Sequence, residues 1–170
     1  NRYIFSDSSS LKNFGVTISL GKQLKWPDDF FTLVYSLNYT QYKLKKYPYI
    51  FRGISDGTSH NVSFKVALSR NSAGPNPIFP TSGSNFLLSA QLTPPYSLFR
   101  TGPVNKEDGY NRPEFHKYRA TAEWFFPIGR GFGSDKSKQF VIRAAAKYGF
   151  MGRYNKQLDF SPFERFQVGD

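Results

Sequence analysis

The chain has 170 residues, a length that fits one domain, and 18% of these residues are aromatic. Its mean hydropathy is −0.51, and no apolar run approaches the roughly 18 residues that a membrane helix needs, so a helical membrane protein is excluded. The absence of cysteine excludes disulfides, thiolate metal sites and thiol catalysis. The net charge of +11 is scattered rather than gathered into a nucleic-acid-binding module, so no nucleic-acid partner is predicted.

Period-two alternation of apolar and polar residues recurs along the chain and is its main structural signal. In the first run, Phe14, Val16, Ile18 and Leu20 alternate with glycine, threonine and serine. The alternating runs span residues 14–21, 31–44, 61–69, 83–93, 115–126 and 140–150. Their lengths are about the 9–11 residues that a tilted strand needs to cross a membrane. The pattern therefore predicts an all-β fold, an antiparallel meander of about six strands.

Charged side chains occupy the polar face of several predicted strands. They are Lys65, Lys117, Arg119, Glu123, Arg143 and Lys147. A small soluble barrel cannot bury such groups unpaired without a large cost in free energy, whereas a water-filled lumen can hold them. Aromatic residues gather at the two interfaces of a membrane barrel, and only alternate residues face lipid, which keeps the mean hydropathy low. These features together predict part of a transmembrane β-barrel.

The predicted connections alternate in length. The shorter ones lie at 21–30, 71–82 and 127–139, and the longer ones lie at 45–59, at 94–114 and after residue 151. Outer-membrane barrels have short periplasmic turns and longer external loops. About six strands cannot close such a barrel, so we expect the remaining strands to come from the rest of the polypeptide or from another chain. No signal peptide is visible, and we expect the chain to be a segment of a longer mature protein.

No residue pattern predicts catalysis or a bound cofactor. His60 and His116 are the only two histidines, and neither has a second histidine at metal-ligand spacing. The paired carboxylates Asp28 and Asp29 lie in a segment typical of a turn, without a pocket that could shift their pKa values. Ser161 lacks the glycine context of a hydrolase nucleophile. We therefore expect no enzyme activity, no catalytic or metal-binding residue and no cofactor.

Two stretches resemble one protein family. Residues 76–86 are similar to a turn and the strand after it in the barrel of the BamA family, the outer-membrane protein assembly factors. The matching turn motif consists of Phe79, Pro80, Thr81 and Gly83. Residues 160–170, with Pro162, Phe163 and Phe166, resemble the segment that opens the long sixth extracellular loop of that family. Between them, residues 115–120 and 124–128 resemble the strand and the Pro-Ile turn that link the two.

The resemblance implies a fold and a set of site residues. Residues 1–170 would form part of a barrel of about sixteen strands in the POTRA-barrel superfamily, from strand six to strand eleven and the start of the sixth loop. Pro162, Phe163 and Phe166 would anchor that loop in the lumen. The charged residues facing the lumen would be Lys65, Arg119, Glu123, Arg143 and Lys147, with Arg143 and Lys147 pairing with Glu123. The Arg-Gly-Phe at 130–132 is read as a glycine-rich turn, and the arginine motif of the sixth loop is expected beyond residue 170.

The resemblance also implies a function. BamA-like barrels fold other β-barrel proteins and insert them into the bacterial outer membrane without ATP. The implied partners are outer-membrane lipids, unfolded outer-membrane β-barrel substrates, the lipoproteins of the assembly complex and the remaining barrel strands. Two alternatives stay open: a two-partner-secretion-type or other outer-membrane transport barrel, and a soluble basic β-protein that binds nucleic acid. The number of POTRA domains would separate the first alternative from the assembly factor, and solubility without detergent would identify the second.

Overall fold

The computed structural model describes residues 2–6, 9–46, 56–76, 78–99, 101–102, 108–132 and 138–166. These residues form one antiparallel sheet of seven strands, which neighbour one another in chain order. The strands are β1 (Arg2–Ser6), β2 (Ser9–Gln23), β3 (Phe31–Lys45), β4 (Gly57–Asn71), β5 (Gly83–Leu92), β6 (His116–Phe132) and β7 (Lys138–Gly152). The helical segments are the 3₁₀ turns Tyr96–Leu98 and Pro162–Glu164 and the short helix α1 (Asp108–Asn111). No helix in these ranges has the length and apolar character needed to cross a membrane.

The predicted antiparallel meander is confirmed, and each alternating run corresponds to one strand from β2 to β7. Most strands are longer than the alternating runs that predicted them, because hydrogen bonding to neighbouring strands continues beyond the runs. For example, β2 spans Ser9–Gln23, whereas its alternating run spans 14–21. The Pro-Ile pair at 127–128, predicted to form a turn, lies inside β6 opposite Val141 and Phe140. The Arg-Gly-Phe at 130–132 also belongs to β6 and not to a turn, beyond a register shift that follows Ile128. The sequence did not predict β1, because five residues contain too few alternations to stand out.

The two faces of the sheet differ in chemistry. One face, called here the apolar face, continues from β2 to β7. The register aligns Ile18 with Leu37 and Leu37 with Phe64 in β2 to β4. It aligns Leu68 with Leu88, Leu88 with Ala120 and Ala120 with Tyr148 in β4 to β7. Its large side chains are exposed, as in Ile18 at 65% and Tyr148 at 65% of full accessibility. The opposite, polar face carries hydroxyl, amide and charged groups. An apolar surface this continuous and exposed is unfavourable in water and is suited to contact with lipid.

The connections lie at two ends of the sheet. At one end, called the turn end, β2 and β4 finish and β3 and β5 begin. At the other, called the loop end, β3 and β5 finish and β4 and β6 begin. The expected contrast in length is weaker than predicted, because β4 begins at Gly57 and the connection 46–56 is no longer than 72–82. An antiparallel bridge between Gly74 and Ser82 continues the pairing of β4 with β5 into their connection, which forms a hairpin.

The buried core lies at the loop end, where β5 stops short. Strand β5 ends at Leu92, which is paired with Phe64, so the first residues of β4 have no β5 partner. Helix α1 lies against this part of β4. Thr93 and Phe115 continue the pairing of β5 with β6 through backbone and hydroxyl hydrogen bonds of 2.7–3.1 Å. Among the described residues, the buried hydrophobic side chains are Phe115 and Leu158, at 1% and 3% exposure.

Candidate functional site

The polar face collects the charged residues that the sequence predicted to face a lumen. Arg143 of β7 and Glu123 of β6 form an ion pair across neighbouring strands. Lys147 lies opposite Thr121 on the same face, nearer the loop end, and its predicted pairing with Glu123 stays a prediction.

The remaining two predicted residues lie on the same face. Lys65 of β4 is paired in register with Ser36 and Gln91, and Arg119 of β6 with Ser89 and Gly149. The alternation therefore places all five predicted charged residues on one side of the sheet.

Residues 153–166, called here the return segment, leave β7 at its loop end and pack back over the polar face. Leu158 and Ser161 are each 3% exposed, so the segment is partly enclosed. Arg153 stabilises its local shape by donating a 2.5 Å hydrogen bond to the carbonyl of Leu158 and by lying 4.9 Å from the ring centroid of Phe160. A segment that follows a strand and turns back in this way can reach side chains on several other strands.

Phe163 and Phe166 contact the polar face at two separate places. The ring of Phe163 stacks on the ring of Tyr42 in β3, with centroids 4.2 Å apart and planes 2° from parallel. The ring of Phe166 covers Gly149 of β7, where a Cβ atom would come within 2.9 Å of the ring. The Nζ atom of Lys117 lies 4.4 Å from the centroid of the Phe166 ring, within the range of a cation–π interaction. Pro162 begins the 3₁₀ turn Pro162–Glu164, which contains Phe163 and precedes Phe166.

Glu164 lies between the two phenylalanines and binds the sheet through polar contacts. Its carboxylate accepts a 2.6 Å hydrogen bond from Nδ2 of Asn61 in β4. Its backbone carbonyl accepts a 2.9 Å hydrogen bond from Nζ of Lys117 in β6. Burial raises the pKa of the Glu164 carboxyl, against the hydrogen bond from Asn61 and the charge of Lys117, which lower it. The return segment is thus bonded to three strands, β3, β4 and β6, and covers a fourth, β7.

The predicted turn motif lies at the turn end, away from the return segment. Phe79 is 74% exposed there, and its backbone N–H donates a 3.3 Å hydrogen bond to the side chain of Asn76. The N–H of Thr81 donates a 3.0 Å bond to the carbonyl of Gly74. Gly83 has φ +91°, and a Cβ atom there would lie 2.1 Å from the carbonyl oxygen of Ser72, so only glycine fits. Pro80 lies between Phe79 and Thr81 in this hairpin, and the motif shapes the hairpin that precedes β5.

Sequence reasoning missed the partners of the return segment. The sequence did not predict that Tyr42, Asn61 and Gly149 contact this segment, although each touches it. One signal was available for Gly149, since a glycine inside an alternating strand often marks a close approach by another group. Nothing comparable marks Tyr42 or Asn61, whose importance depends on a segment far away in the chain.

The described residues offer no group of three histidine, aspartate or glutamate side chains that could hold a metal ion. The arrangement positions a loop segment on a polar sheet face by ring stacking, hydrogen bonds and cation–π contacts. Such contacts can fix the conformation of a loop. The site therefore holds the return segment in place on the sheet.

Comparison with known proteins identifies one family. A protein-family model, the Omp85 superfamily domain, matches residues 1–170. No curated protein matches the chain at a significant level. The family match covers every strand described above, so the whole sheet belongs to the matched domain.

Proposed function

The chain belongs to the Omp85 superfamily of outer-membrane proteins, and from that premise we propose that it forms part of the barrel of a bacterial outer-membrane protein assembly factor of the BamA type. The assembly factor would fold other β-barrel proteins and insert them into the outer membrane. The observation that carries the proposal is the packing of Phe163, Glu164 and Phe166 on the polar face. These residues lie in the stretch that resembles the opening of the family's sixth loop.

The proposed role of this sheet is that of a stable wall that carries the loop. An incoming substrate strand would pair at an exposed sheet edge elsewhere in the barrel, by β-augmentation. The wall would contact outer-membrane lipids through its apolar face, and the remaining barrel strands would pair with its two edges, since unpaired edges in lipid are costly. The same proposal places β2 to β7 as strands six to eleven of the complete barrel, with β1 before them. Its proposed partners are unfolded outer-membrane barrel substrates and the lipoproteins of the assembly complex. No step in it needs a catalytic residue or a cofactor.

A transport barrel of the same superfamily is the second candidate. The polar face of β4, β6 and β7 carries more basic than acidic side chains. The acidic one is Glu123, and the basic ones are Lys65, Lys117, Arg119, Arg143 and Lys147. A lumen of one sign of charge favours the entry of an oppositely charged chain. The exposed apolar face argues against the third candidate, a soluble protein that binds nucleic acid, because that face needs lipid or protein to cover it.

The test of the proposal changes both anchoring rings, Phe163→Ala with Phe166→Ala, in the intact protein. Burying one phenylalanine contributes about 1.5–3 kcal/mol, so the double variant should keep its strands in the membrane but loosen the return segment. We expect protease to cleave the segment faster, and vesicles containing the variant to assemble fewer barrel proteins. A transport barrel would instead lose passage of an unfolded secretion substrate and show no assembly activity in either form.

The matched control is Leu98→Ala with Phe99→Ala, which also removes two large side chains from a loop. Leu98 and Phe99 are 76% and 82% exposed, so their loss should change neither protease cleavage of the return segment nor assembly. Unchanged protease resistance together with unchanged assembly in the Phe163 and Phe166 variant would contradict the proposal.

A further inference from the structure

Three lysines cluster on the apolar face at the loop end. Lys12 of β2 is paired in register with Lys43 of β3, and Lys45 lies two residues further along β3, opposite Ser10. All three side chains are exposed. We call Lys12, Lys43 and Lys45 the basic row. It lies on the face that otherwise carries the exposed apolar side chains of the sheet.

The basic row follows a gradient of polarity along the apolar face. The row across the middle of β2, β3 and β4 contains Ile18, Leu37 and Phe64, and the next row towards the loop end contains Val16, Tyr39 and Val62. The third row contains Phe14, Gln41 and His60. The last row contains Lys12, Lys43 and Thr58. The hydroxyl of Tyr39 lies 2.9 Å from Nδ1 of His60, as polar groups begin to appear. This order of apolar, amphipathic and basic rows is typical of a protein surface that extends from the hydrocarbon core of a membrane to its lipid headgroups.

Distances along β2 agree with this placement. Lys12 and Lys22 bracket the outward apolar residues Phe14, Val16, Ile18 and Leu20. At about 3.4 Å per residue and a tilt of about 40°, the stretch between the two lysines spans about 26 Å along the membrane normal. The apolar band of outer-membrane barrels is about 25 Å tall. Lys12, and with it the basic row, therefore lies at the level of the lipid headgroups.

Within the described ranges, the basic row has no acidic side chain paired with it. Like charges placed directly opposite on neighbouring strands are destabilising, and the Cβ atoms of such a pair are about 5 Å apart. In the part of the chain that the structure describes, no side chain forms an ion pair with Lys12, Lys43 or Lys45. The turn end of the same face differs, since Arg70 there binds Asp28 at 2.7 Å and the hydroxyl of Ser84 at 2.7 Å.

We propose that the basic row binds the phosphate of an anionic lipid headgroup in the leaflet at the loop end. A phosphate between Lys12 and Lys43 would accept hydrogen bonds from both ammonium groups and offset their repulsion. Lys45 would contact the same headgroup or its neighbour. The inference rests on the placement of the sheet in the membrane and is independent of whether the barrel inserts or transports proteins.

The test measures the melting temperature of the intact protein in a neutral detergent, with phosphatidylglycerol added as the probe. The double variant Lys12→Gln with Lys43→Gln removes the site, and Lys43→Glu replaces the repulsion by an opposite-charge pair. We expect phosphatidylglycerol to raise the melting temperature of the unchanged protein. The apparent affinity for this lipid should fall about thirtyfold in the double variant, for two lysines near the membrane surface. Without the lipid, Lys43→Glu should melt at or above the temperature of the unchanged protein.

The control is Lys25→Gln with Lys156→Gln, which changes the net charge equally at two exposed positions outside the strands. It should keep the full response to phosphatidylglycerol. The proposal is overturned if Lys43→Glu keeps that response, or if the control loses as much of it as the double variant. It is also overturned if inorganic phosphate at the same concentration produces the same shift, because the site would then bind a free anion and not a lipid.

Discussion

Gly149 is the residue that lets the ring of Phe166 reach the backbone of β7. A Cβ atom at this position would lie 2.9, 3.0 and 3.2 Å from three atoms of the ring, closer than ordinary van der Waals contact. Gly15, on the polar face of β2, has no such neighbour, since the nearest atom to its Cβ position is 3.6 Å away. The same residue type in the same kind of strand therefore has a specific packing role in one place and none of this kind in the other.

We expect Gly149→Ala to displace Phe166 and loosen the return segment. Overpacking of this kind costs about 1–3 kcal/mol, and the segment can relieve it by moving away from β7. Limited proteolysis of the membrane-inserted protein should show faster cleavage within 153–166. Gly15→Ala, the matched control, should cleave at the original rate. Equal rates for the two variants would show that the contact of Phe166 with β7 does not hold the segment.

We expect Glu164 to make the same segment sensitive to pH. Because burial raises the pKa of its carboxyl when the segment is docked, the docked state prefers the neutral form. Docking is therefore strongest below the ordinary pKa of a glutamate and weakens as pH rises through the higher pKa of the docked state. Glu164→Gln keeps an oxygen that can accept from Asn61, removes the charge, and should remove this pH dependence.

The measurement uses the absence of natural cysteine in the chain. Ser161→Cys places a thiol in the buried part of the segment, and Lys156→Cys places one at an exposed position. The ratio of their rates of maleimide labelling cancels the effect of pH on thiol reactivity. In the parent background this ratio should rise as pH increases from below the ordinary pKa of a glutamate through the higher pKa of the docked state, and it should stay constant with Glu164→Gln. The same rise in both backgrounds would rule out Glu164 as the titrating group.

At the scale of the element, each strand separates two environments with adjacent residues. In β2, Ile18 faces the apolar side and Ser19 the polar side, where its hydroxyl donates a 2.9 Å hydrogen bond to Ser36 of β3. Thr17 similarly bonds Asn38 across the same pair of strands, at 3.0 Å. Side chains of the polar face thus form hydrogen bonds from strand to strand. Among the described residues, the apolar face has no such contact in the rows around Ile18 and Leu37.

Lysine at Ile18 should disrupt membrane assembly, while lysine at Ser19 should be tolerated. A lysine on the lipid face near the midplane costs about 2–4 kcal/mol, whereas a wet lumen solvates the same charge. The folded fraction after refolding into vesicles, read from heat-modifiable mobility on a gel, measures the difference. Leu37→Lys and Ser36→Lys repeat the comparison on β3. Equal tolerance on both faces would contradict the assignment of the apolar face to the lipid side.

The whole molecule, as far as the structure describes it, is a sheet with two edges and one exposed apolar face. Strands β1 and β7 lie at the ends of the strand order. Edge strands present unpaired backbone N–H and C=O groups, which favour pairing with other chains. The buried hydrophobic residues Phe115 and Leu158 lie at the loop end, so the middle of the sheet has no second layer to cover it.

Residues 1–170 in plain buffer should therefore not form a stable monomer. Exposed edges and an uncovered apolar face should cause association, and a suitable detergent should disperse it. Sedimentation of the isolated chain with and without detergent measures this. A monomer in water with a sharp, reversible two-state melt would contradict the membrane placement of the sheet.

The amino-acid sequence by itself determined the strands from β2 to β7, their two faces and the absence of a membrane helix. These features follow from local alternation, since residues two apart in a strand lie on one face whatever the strand pairs with. Phe14, Val16 and Ile18 therefore identify the apolar face without knowledge of their neighbours. The extra residues of β2 and β6 were not predictable in this way, because pairing with a neighbouring strand can extend a strand beyond its alternating part.

Only the tertiary structure decided which residues meet. The pairing of Lys12 with Lys43 depends on the register between β2 and β3, and a shift of that register would separate the two charges. The stacking of Phe163 on Tyr42 joins β3 to a segment beyond β7, so it depends on every connection in between. Alternation carries no information about such distant contacts. Register and the path of the loops decide them, and both result from packing over the whole sheet.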